Sequence, residues 1–332
     1  MEISTSIIFL GTPNFAVWSL KKLHNFYPIE LVITNPDAKV GRGQKLKPSP
    51  VKQFAIDNDL SVCDDFEYFL QFIDKKVASG AWRKVTEGKS TFADKSIKIS
   101  NPIFVIVAFG QILPASLVNN FTCINLHASL LPKYRGASPI QAALLNGDKV
   151  TGNTAMLINE KMDTGPILSQ RKLSIDDNQI ATDLHDKLAE QGADLLVDTI
   201  KNLQNIIPKY QDEKRASYCH KIKKEDRLLD LSDPYYKIHN KVRAIGGYFY
   251  DVNKRVSVTK SILKNNSADY DIKPSFKVSD DILDKLLSLS RFLEIYVKPE
   301  GKKEMLLKNY LLGRKYTRTK LDFGFNLTSE VY

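Results

Sequence analysis

The segment PIFVIVAFG, residues 102–110, constrains the fold of this chain more than any other feature of the sequence. It is apolar from end to end and rich in β-branched residues, which favour strands. A strand that packs on one face alternates apolar and polar side chains, whereas a strand buried on both faces of a parallel sheet does not. The segment therefore predicts a central strand of a parallel sheet.

Shorter segments of the same kind lie before and after this run. Further strands are predicted at SIIFL (6–10), IELVIT (29–34), SVC (61–63), TCINLH (122–127) and TAMLI (154–158). Helices are predicted at 14–25, in VKQFAIDNDL (51–60) and at 182–204, where leucines recur at the spacing of one helical face. Strands that alternate with helices indicate an α/β fold with a mostly parallel sheet.

The pattern changes after about residue 206. One helix is predicted in YYKIHNKVRAI, and short β-rich segments follow: GYFYDV, RVSVTKSIL, FLEIYVK and EMLLKNYLLG. Short strands with turns between them indicate a small barrel or sandwich. Because 332 residues exceed the roughly 250–300 that one core supports, we predict two domains, 1–205 and 206–332. The stretch 64–101 is predicted as a helix followed by a solvated loop.

The charge of the chain is unevenly distributed. Residues 1–213 hold 23 basic and 23 acidic residues, whereas residues 214–320 hold 25 basic and 13 acidic ones. A neutral part followed by a strongly basic part predicts a polyanionic partner for the second part. A solubilising surface charge is the alternative explanation.

The cellular compartment is predicted from the cysteines and from the N-terminus. Cys63, Cys123 and Cys219 are far apart and form neither a disulfide framework nor a metal-ligand spacing, which favours a reducing cytoplasm. The N-terminal MEISTS carries an acid and no arginine, unlike a secretory or transit signal. No apolar run is long enough to span a membrane, so no membrane association is predicted.

Two polar residues lie where the predicted strand TCINLH ends. Asn125 and His127 are two positions apart, so both side chains point to one side of the strand. Asp163 lies in the turn EKMDTGPI, after the next predicted strand. An amide can donate to a developing oxyanion, an imidazole can donate a proton, and a carboxylate can orient the ring. This pattern predicts a catalytic set, although the spacing alone leaves a structural role for the Asn-x-His pair open.

Several other kinds of site are not predicted. No group of His, Cys and acidic residues has metal-ligand spacing, so no metal is expected. GTPNFA lacks the second and third glycines of a dinucleotide fingerprint, and no Gly-rich loop ends in Lys-Ser or Lys-Thr. The remaining histidines are predicted to be surface or packing residues: His24, His185, His220 and His239.

These motifs together resemble the methionyl-tRNA formyltransferases over nearly the whole chain. The resemblance is carried by IIFLGTPNFA, ITNPDAKVGRGQKLKPSPVK, VAFGQILP, INLHASLLPKYRGASPIQAALLNGD, TGNTAMLINEKMDTGPIL, HKIKKEDRLLD and VKPEGKKEMLLKNYLLGRK. The block HASLLPKYRG with a later Asp-Thr-Gly is specific to folate-dependent formyltransferases. The resemblance implies a Rossmann-like formyltransferase domain followed by a small, OB-fold-like β-barrel.

The implied activity is transfer of the formyl group of 10-formyltetrahydrofolate to the α-amino group of methionyl initiator tRNA. Asn125 and His127 would stabilise the tetrahedral oxyanion, and Asp163 would hold His127 and help to move the proton. The implied folate-binding residues are Ser129, Leu130, Leu131, Pro132, Phe109, Gly110, Ile112 and Leu113. For the apolar members of this set, plain core packing is the alternative.

The same resemblance implies how tRNA is bound. Arg42, Lys45 and Lys47 lie on the loop 36–50 and would contact the RNA, and the basic second domain would bind phosphates. We expect a monomer that requires no metal. Two rival functions stay open at this point: an N-formyltransferase acting on an amino-sugar nucleotide, and a non-catalytic RNA-binding protein.

Overall fold

The computed structural model describes residues 5–41, 43–82, 84–85, 99–251, 254–264 and 282–313. The chain divides by its contacts into two compact units. The first comprises Met1–Ala143, Lys149–Ile175 and Thr182–Lys221, and the second comprises Leu144–Asp148, Asp176–Ala181 and Ile222–Tyr332. Within the described residues, no helix is both long and apolar enough to span a membrane.

The first unit is an α/β structure. Its strands are β1 Ile7–Gly11, β2 Ile29–Ile33, β3 Ala38–Val40, β4 Lys45–Lys47, β5 Val62–Cys63, β6 Ile103–Val107, β7 Cys123–His127, β8 Arg135–Gly136, β9 Val150–Leu157, β10 Ile167–Ser174 and β11 Tyr218–Cys219. Its helices are α1 Asn14–His24, α2 Pro50–Asp57, α3 Phe66–Ala78, α4 Ala115–Val118, α5 Pro139–Leu145 and α6 Ala181–Lys201, with 3₁₀ turns at Leu203–Asn205 and Glu213–Arg215.

Seven of these strands form one sheet in the order β5-β2-β1-β6-β7-β9-β10. The first five are parallel, whereas β9 runs antiparallel to both β7 and β10. Every residue of β1 and β6 is buried, which confirms the predicted central strand within 102–110. The carboxyl ends of β1, β6 and β7 therefore lie at the same edge of the sheet, where parallel α/β sheets bind ligands.

The helices that cover this sheet follow from local sequence signals. Helix α2 begins after Ser49, whose Oγ accepts a hydrogen bond from the backbone N–H of Lys52 at 3.0 Å, and Pro50 occupies the first turn. Helix α6 buries the predicted leucine stripe, including Leu184 and Leu188. Burial of an apolar stripe against the sheet stabilises such a helix more than its intrinsic propensity does.

An aromatic cluster packs beside β6. Phe104 of β6 contacts Trp82 and Phe121, with ring centroids 5.9 and 4.9 Å apart. The Trp82 indole N–H donates to Glu30 Oε2 at 2.8 Å, so its polar edge is satisfied. Helix α3 supplies Phe69 to the same cluster, which bears out the helix predicted within 64–101. The loop predicted after that helix falls largely on 86–98, outside the described residues.

The second unit contains an antiparallel sheet. Its elements are a 3₁₀ turn Glu225–Arg227, α7 Tyr235–Ile245, β12 Gly247–Asp251, β13 Lys254–Leu263, α8 Ile282–Phe292, β14 Leu293–Pro299, β15 Met305–Leu306 and α9 Leu307–Leu312. The sheet order is β12-β13-β14-β15. Alternate residues of β14 are buried, as expected for a sheet with one packed face. In the described residues, the predicted OB-fold-like β-barrel corresponds to this sheet and the helices beside it.

Several elements differ from the prediction. The segment EMLLKNYLLG is mostly the helix α9, because only Met305–Leu306 pairs with β14. The antiparallel strand β10 and the hairpin β3–β4 are additional, and neither segment has the continuous apolar run used to recognise strands. Residues 206–221 belong to the first unit by their contacts, since β11 pairs with β8. The functional boundary at 205/206 stays a prediction.

The aromatic cluster gives a test of the core. Phe104 is fully buried, and truncating such a ring to a methyl group costs about 3–5 kcal/mol through lost contacts and a residual cavity. We expect Phe104→Ala to lower the free energy of unfolding of the first unit by that amount. Urea denaturation followed by Trp82 fluorescence, in a Trp18→Phe background, measures this change.

Tyr68→Ala is the matched control for this variant. The Tyr68 side chain is exposed on α3, and surface truncations usually change stability by less than about 0.5 kcal/mol. Equal losses in the two variants would contradict the assignment of Phe104 to the core.

Candidate active site

His127 is the last residue of β7 and is buried, with 7% of its surface exposed. Its Nε2 lies 2.8 Å from the carbonyl oxygen of Tyr134. Because a carbonyl oxygen can only accept a hydrogen bond, Nε2 must carry a proton. The other ring nitrogen, Nδ1, is therefore the one free to exchange a proton or to bind a ligand.

Asp163 lies on the Nδ1 side of this ring. Its Oδ2 is 3.7 Å from His127 Nδ1, too long for a direct hydrogen bond but close enough for an electrostatic interaction or a water bridge. The same oxygen accepts a hydrogen bond from the backbone N–H of Gly136 at 2.8 Å. Asp163 has a φ of 54°, in the left-handed region that residues other than glycine rarely adopt. The structure thus brings His127 and Asp163 together, as the sequence predicted.

Asn125 lies two residues before His127 on the same strand, a separation of about 6.6 Å along the chain. Its side chain is partly exposed, and within the described residues it has no hydrogen-bond partner. The flanking strand residues are Ile106 on β6 and Met156 on β9. An amide with two free donors therefore lies on the strand face that His127 also uses.

The segment Ser129–Pro132 follows the strand as a tightly held turn. Thr154 of β9 is buried, and its Oγ1 donates to the Ser129 carbonyl at 2.6 Å and accepts from the Leu131 N–H at 3.1 Å. Gln170 donates to the Leu131 carbonyl at 2.9 Å. Leu130 and Pro132 keep part of their surface exposed, whereas Ser129 and Leu131 are buried. This turn therefore has a fixed backbone and a partly accessible apolar face.

The segment 109–113 follows β6 at the same edge of the sheet. The Phe109 ring packs in the core, 5.5 Å from that of Phe66, while its carbonyl accepts from Asn35 Nδ2 at 3.2 Å. Gly110 has a φ of 81° and is exposed, as is Ile112, and Leu113 is half-buried. Of the predicted folate wall, the Phe109 side chain thus faces the core, Gly110 and Ile112 face solvent, and Leu113 packs partly against the core.

The cationic loop is a short hairpin, β3–β4, after the carboxyl end of β2. Lys45 and Lys47 are exposed and share one face of the hairpin, because they are two positions apart on β4. The hairpin base is held by Lys52, whose Nζ lies 2.6 Å from Asp37 and 2.7 Å from Asp64. The third predicted cation, Arg42, lies outside the described residues.

A segment that the sequence did not single out completes the site. Residues 209–219, here called the strap, contact both the loop that follows His127 and the loop that carries Asp163. Lys209 pairs with Ile167 through two backbone hydrogen bonds of 2.8 and 2.9 Å. Farther along, the Ser217 carbonyl accepts from the Arg135 N–H at 2.8 Å, and its Oγ accepts from the Tyr134 N–H at 2.9 Å.

Arg135 is the buried anchor of the strap, with 1% of its surface exposed. Its guanidinium makes two parallel hydrogen bonds to Glu213, of 2.8 and 2.9 Å, and two to Gln211 Oε1, of 2.9 and 3.1 Å. The hydrogen bonds with Glu213 raise the pKa of Arg135 above its ordinary value and lower the pKa of the Glu213 carboxyl. Arg135 is recognisable in the sequence as the cation of KYRG. Its partners lie more than seventy residues away, and no sequence pattern indicated that they would contact it.

Two family models match the chain. Residues 6–200 match the family model described as "Formyl transferase", and residues 221–315 match "Formyl transferase, C-terminal domain". The fold is similar to that of an N-formyltransferase from Helicobacter canadensis, crystallised with folinic acid and dTDP-3-aminofucose. That similarity has a TM-score of 0.58 at 22% identity and covers 91% of this chain and 98% of that one.

The chain is also similar in sequence to curated proteins. A methionyl-tRNA formyltransferase of Thermodesulfovibrio yellowstonii is 38% identical, over 94% of this chain and 97% of its own length. The corresponding protein of Clostridium novyi is 35% identical, over 92% and 96%. Identity at this level over nearly the full length, with both family models matched, shows that the chain belongs to the methionyl-tRNA formyltransferases of the formyl transferase family.

Proposed function

We propose that this chain transfers the formyl group of 10-formyltetrahydrofolate to the α-amino group of methionyl initiator tRNA, with Asn125, His127 and Asp163 as the catalytic residues. One observation carries the assignment of these residues. The buried imidazole of His127 donates from Nε2 to the Tyr134 carbonyl, and its Nδ1 lies near the Asp163 carboxylate. On the same strand, the Asn125 amide has no protein partner among the described residues.

The roles of the three side chains follow from the bonds that change. The transfer joins the formyl carbon to the α-amino nitrogen and breaks its bond to N10 of the donor; the amine loses a proton and N10 gains one. Negative charge develops on the formyl oxygen during the attack. Asn125 donates to that oxygen from its amide, an interaction that in comparable sites contributes about 3–4 kcal/mol.

His127 acts through Nδ1, since Nε2 is bonded to the Tyr134 carbonyl. In its protonated form the ring donates from Nδ1 toward the same oxygen. Asp163, 3.7 Å away, stabilises the positive charge of the ring. The proton that leaves the amine passes to the Asp163 carboxylate through water.

The formyl donor would be held by the turn Ser129–Pro132 and by residues 110–113. The turn offers a fixed backbone and the partly exposed side chains of Leu130 and Pro132, which suit an apolar ring system. Gly110 and Ile112 are exposed after the carboxyl end of β6, and Phe109 supports them from the core. In this proposal Phe109 contributes its backbone position rather than its ring.

The tRNA would be held by cations. Lys45 and Lys47 project from a hairpin at the strand edge that also carries the proposed catalytic residues, and Arg42 lies between β3 and β4 in the sequence. The excess of 25 basic over 13 acidic residues in 214–320 supplies further attraction for phosphates. Such contacts give affinity and orientation rather than base recognition.

The proposal includes a monomer that works in the cytoplasm and needs no metal. All of the proposed catalytic groups lie on one chain, so no second copy is required to complete the site. The three cysteines are unpaired, which suits a reducing compartment.

The activity itself is tested with the purified chain, 10-formyltetrahydrofolate and charged initiator tRNA. We expect formylation of the methionyl tRNA, detected as labelled formyl-methionine after hydrolysis of the ester. An amino-sugar nucleotide serves as the competing acceptor. Formyl transfer to the sugar alone would overturn the proposed acceptor, and transfer to neither would overturn the proposed reaction.

The role of His127 is tested with His127→Ala. We expect the single-turnover rate to fall at least about 100-fold, since general acid–base groups contribute about 10²–10⁴ in rate. Binding of the tRNA, measured by filter retention, should be nearly unchanged. His185→Ala removes a partly exposed histidine on α6 and should retain the wild-type rate. A His127→Ala variant that fails mainly in tRNA binding would contradict a role in the chemical step.

The role of the hairpin is tested by comparing Lys47→Ala with Lys39→Ala. Both remove one exposed cation from the hairpin, but Lys39 pairs with Leu46 and lies on the opposite face from Lys47. We expect Lys47→Ala to raise KM for the tRNA several-fold and to reduce its dependence on salt, with KM for the formyl donor unchanged. Equal effects from the two variants would mean that net charge, rather than this face, attracts the RNA.

A further inference from the structure

The strap carries one side chain whose contacts all converge on the candidate site. Gln211 is half-buried, and its amide nitrogen donates to two backbone carbonyls, those of Asp163 and Gly165, both at 2.8 Å. Its amide oxygen accepts from the guanidinium of Arg135 at 2.9 and 3.1 Å. One amide therefore joins the loop that carries Asp163 to the loop that leads away from His127.

The backbone that Gln211 holds is in an unfavourable conformation. Asp163 has a φ of 54°, in the left-handed region that residues with a side chain adopt less readily than glycine. Two residues on, a side chain at Gly165 would place its Cβ 1.7 Å from the carbonyl oxygen of Leu157, so the chain returns closely on itself there. The two hydrogen bonds from Gln211 lie on either side of this tight turn and fix the direction of the Asp163 side chain.

Gln211 is itself fixed by the buried charge beside it. The Arg135 guanidinium lies between Gln211 and Glu213, and its Nη1 also donates to the Tyr218 hydroxyl at 3.3 Å. A planar guanidinium bound on two sides in this way has little freedom to rotate. Hydrogen bonds from its nitrogens orient the amide of Gln211, so that the amide nitrogen points toward the Asp163 loop.

Arg135 and Gly136 are neighbours in the sequence, and each of them acts on one of the two hydrogen bonds that hold Asp163. The Gly136 N–H holds the Asp163 carboxylate at 2.8 Å, while Arg135 orients the glutamine that holds the Asp163 carbonyl. Gly136 thus holds the side chain of Asp163 directly, and Arg135 holds its backbone through Gln211. A shift of Gln211 would move the carboxylate relative to His127 Nδ1.

We propose that Gln211 is a positioning residue for formyl transfer, which sets the distance between the Asp163 carboxylate and the His127 ring from the strap. This inference depends on the proposed roles of His127 and Asp163. Displacing a catalytic group by about 1 Å can lower a rate by about 10²-fold. The effect of Gln211 should therefore appear in kcat and in the surroundings of the His127 ring, and less in the binding of either substrate.

Gln211→Glu is the discriminating variant. It keeps the shape of the side chain and the acceptor for Arg135, but it replaces the amide donor with an oxygen that faces two carbonyls. The new carboxylate would share Arg135 with Glu213 and would face the backbone carbonyl of Asp163. We expect kcat to fall about 10- to 100-fold, with KM for the formyl donor and for the tRNA changed less than about threefold.

Gln191→Glu is the matched control. Gln191 also accepts from a side chain, Asn153 at 3.1 Å, and donates to a backbone carbonyl, that of Lys172 at 2.9 Å. These contacts join α6 to the sheet and involve none of the proposed catalytic residues. The control should keep the wild-type kcat even if its melting temperature falls as far as that of Gln211→Glu.

A second measurement does not depend on turnover. The ¹⁵N chemical shifts of the His127 ring nitrogens, in histidine-labelled protein without substrates, report what lies beside Nδ1. We expect them to change in Gln211→Glu and to match wild type in Gln191→Glu. If wild-type protein formylates no methionyl tRNA but the shifts change as described, the proposed function fails and the positioning of His127 and Asp163 by Gln211 stands.

Three outcomes would overturn the proposal. These are a Gln211→Glu kcat within threefold of wild type, unchanged ring shifts, and an equal loss of kcat in the control. If Gln211→Glu does not accumulate as folded protein, Gln211→Met replaces it under the same criteria, because methionine has a similar length and brings no charge against the two carbonyls.

Discussion

The parallel pairing of β6 with β1 and β7 is the constraint on which the rest of the first unit depends. These strands are almost entirely buried, so they can only lie in the middle of a sheet that is covered on both faces. Parallel strands end at the same edge, and the polar residues that follow them must therefore meet there. Asn125 and His127 reach this edge on β7, and the segment that begins at Phe109 reaches it on β6.

In the candidate site, some atoms of each residue make contacts within the protein, and the others are available to a ligand. His127 uses Nε2 for the Tyr134 carbonyl and leaves Nδ1 available. Asp163 uses Oδ2 for the Gly136 N–H and its backbone carbonyl for Gln211, and these contacts hold its carboxylate 3.7 Å from His127 Nδ1. Asn125 has no support of this kind among the described residues, and its donors remain for a ligand.

Sequence patterns predicted the parts of this molecule that depend on local chemistry. Three features were predicted from a few neighbouring residues each: the apolar run 102–110, the leucine stripe of α6 and the strand end at His127. The hairpin β3–β4 and the strand β10 carry charges and weak alternation, and their pairing depends on partners elsewhere. Arg135 was visible as a cation, but its role comes from Gln211 and Glu213, whose approach only the folded chain reveals. For Phe109 the sequence could not decide between two roles, because an apolar residue beside a site can face either the ligand or the core. Its ring is buried in the core.

The order of these pieces along the chain has a consequence for synthesis on the ribosome. The last of the three proposed catalytic side chains, Asp163, is translated well before the strap, which follows the whole of α6. A nascent chain that ends after α6 would contain all three proposed catalytic side chains. It would still lack Gln211, which holds the Asp163 turn, and Glu213, which binds the guanidinium of Arg135. The candidate site therefore matures late, after Cys219 has left the exit tunnel and its segment has paired with β8.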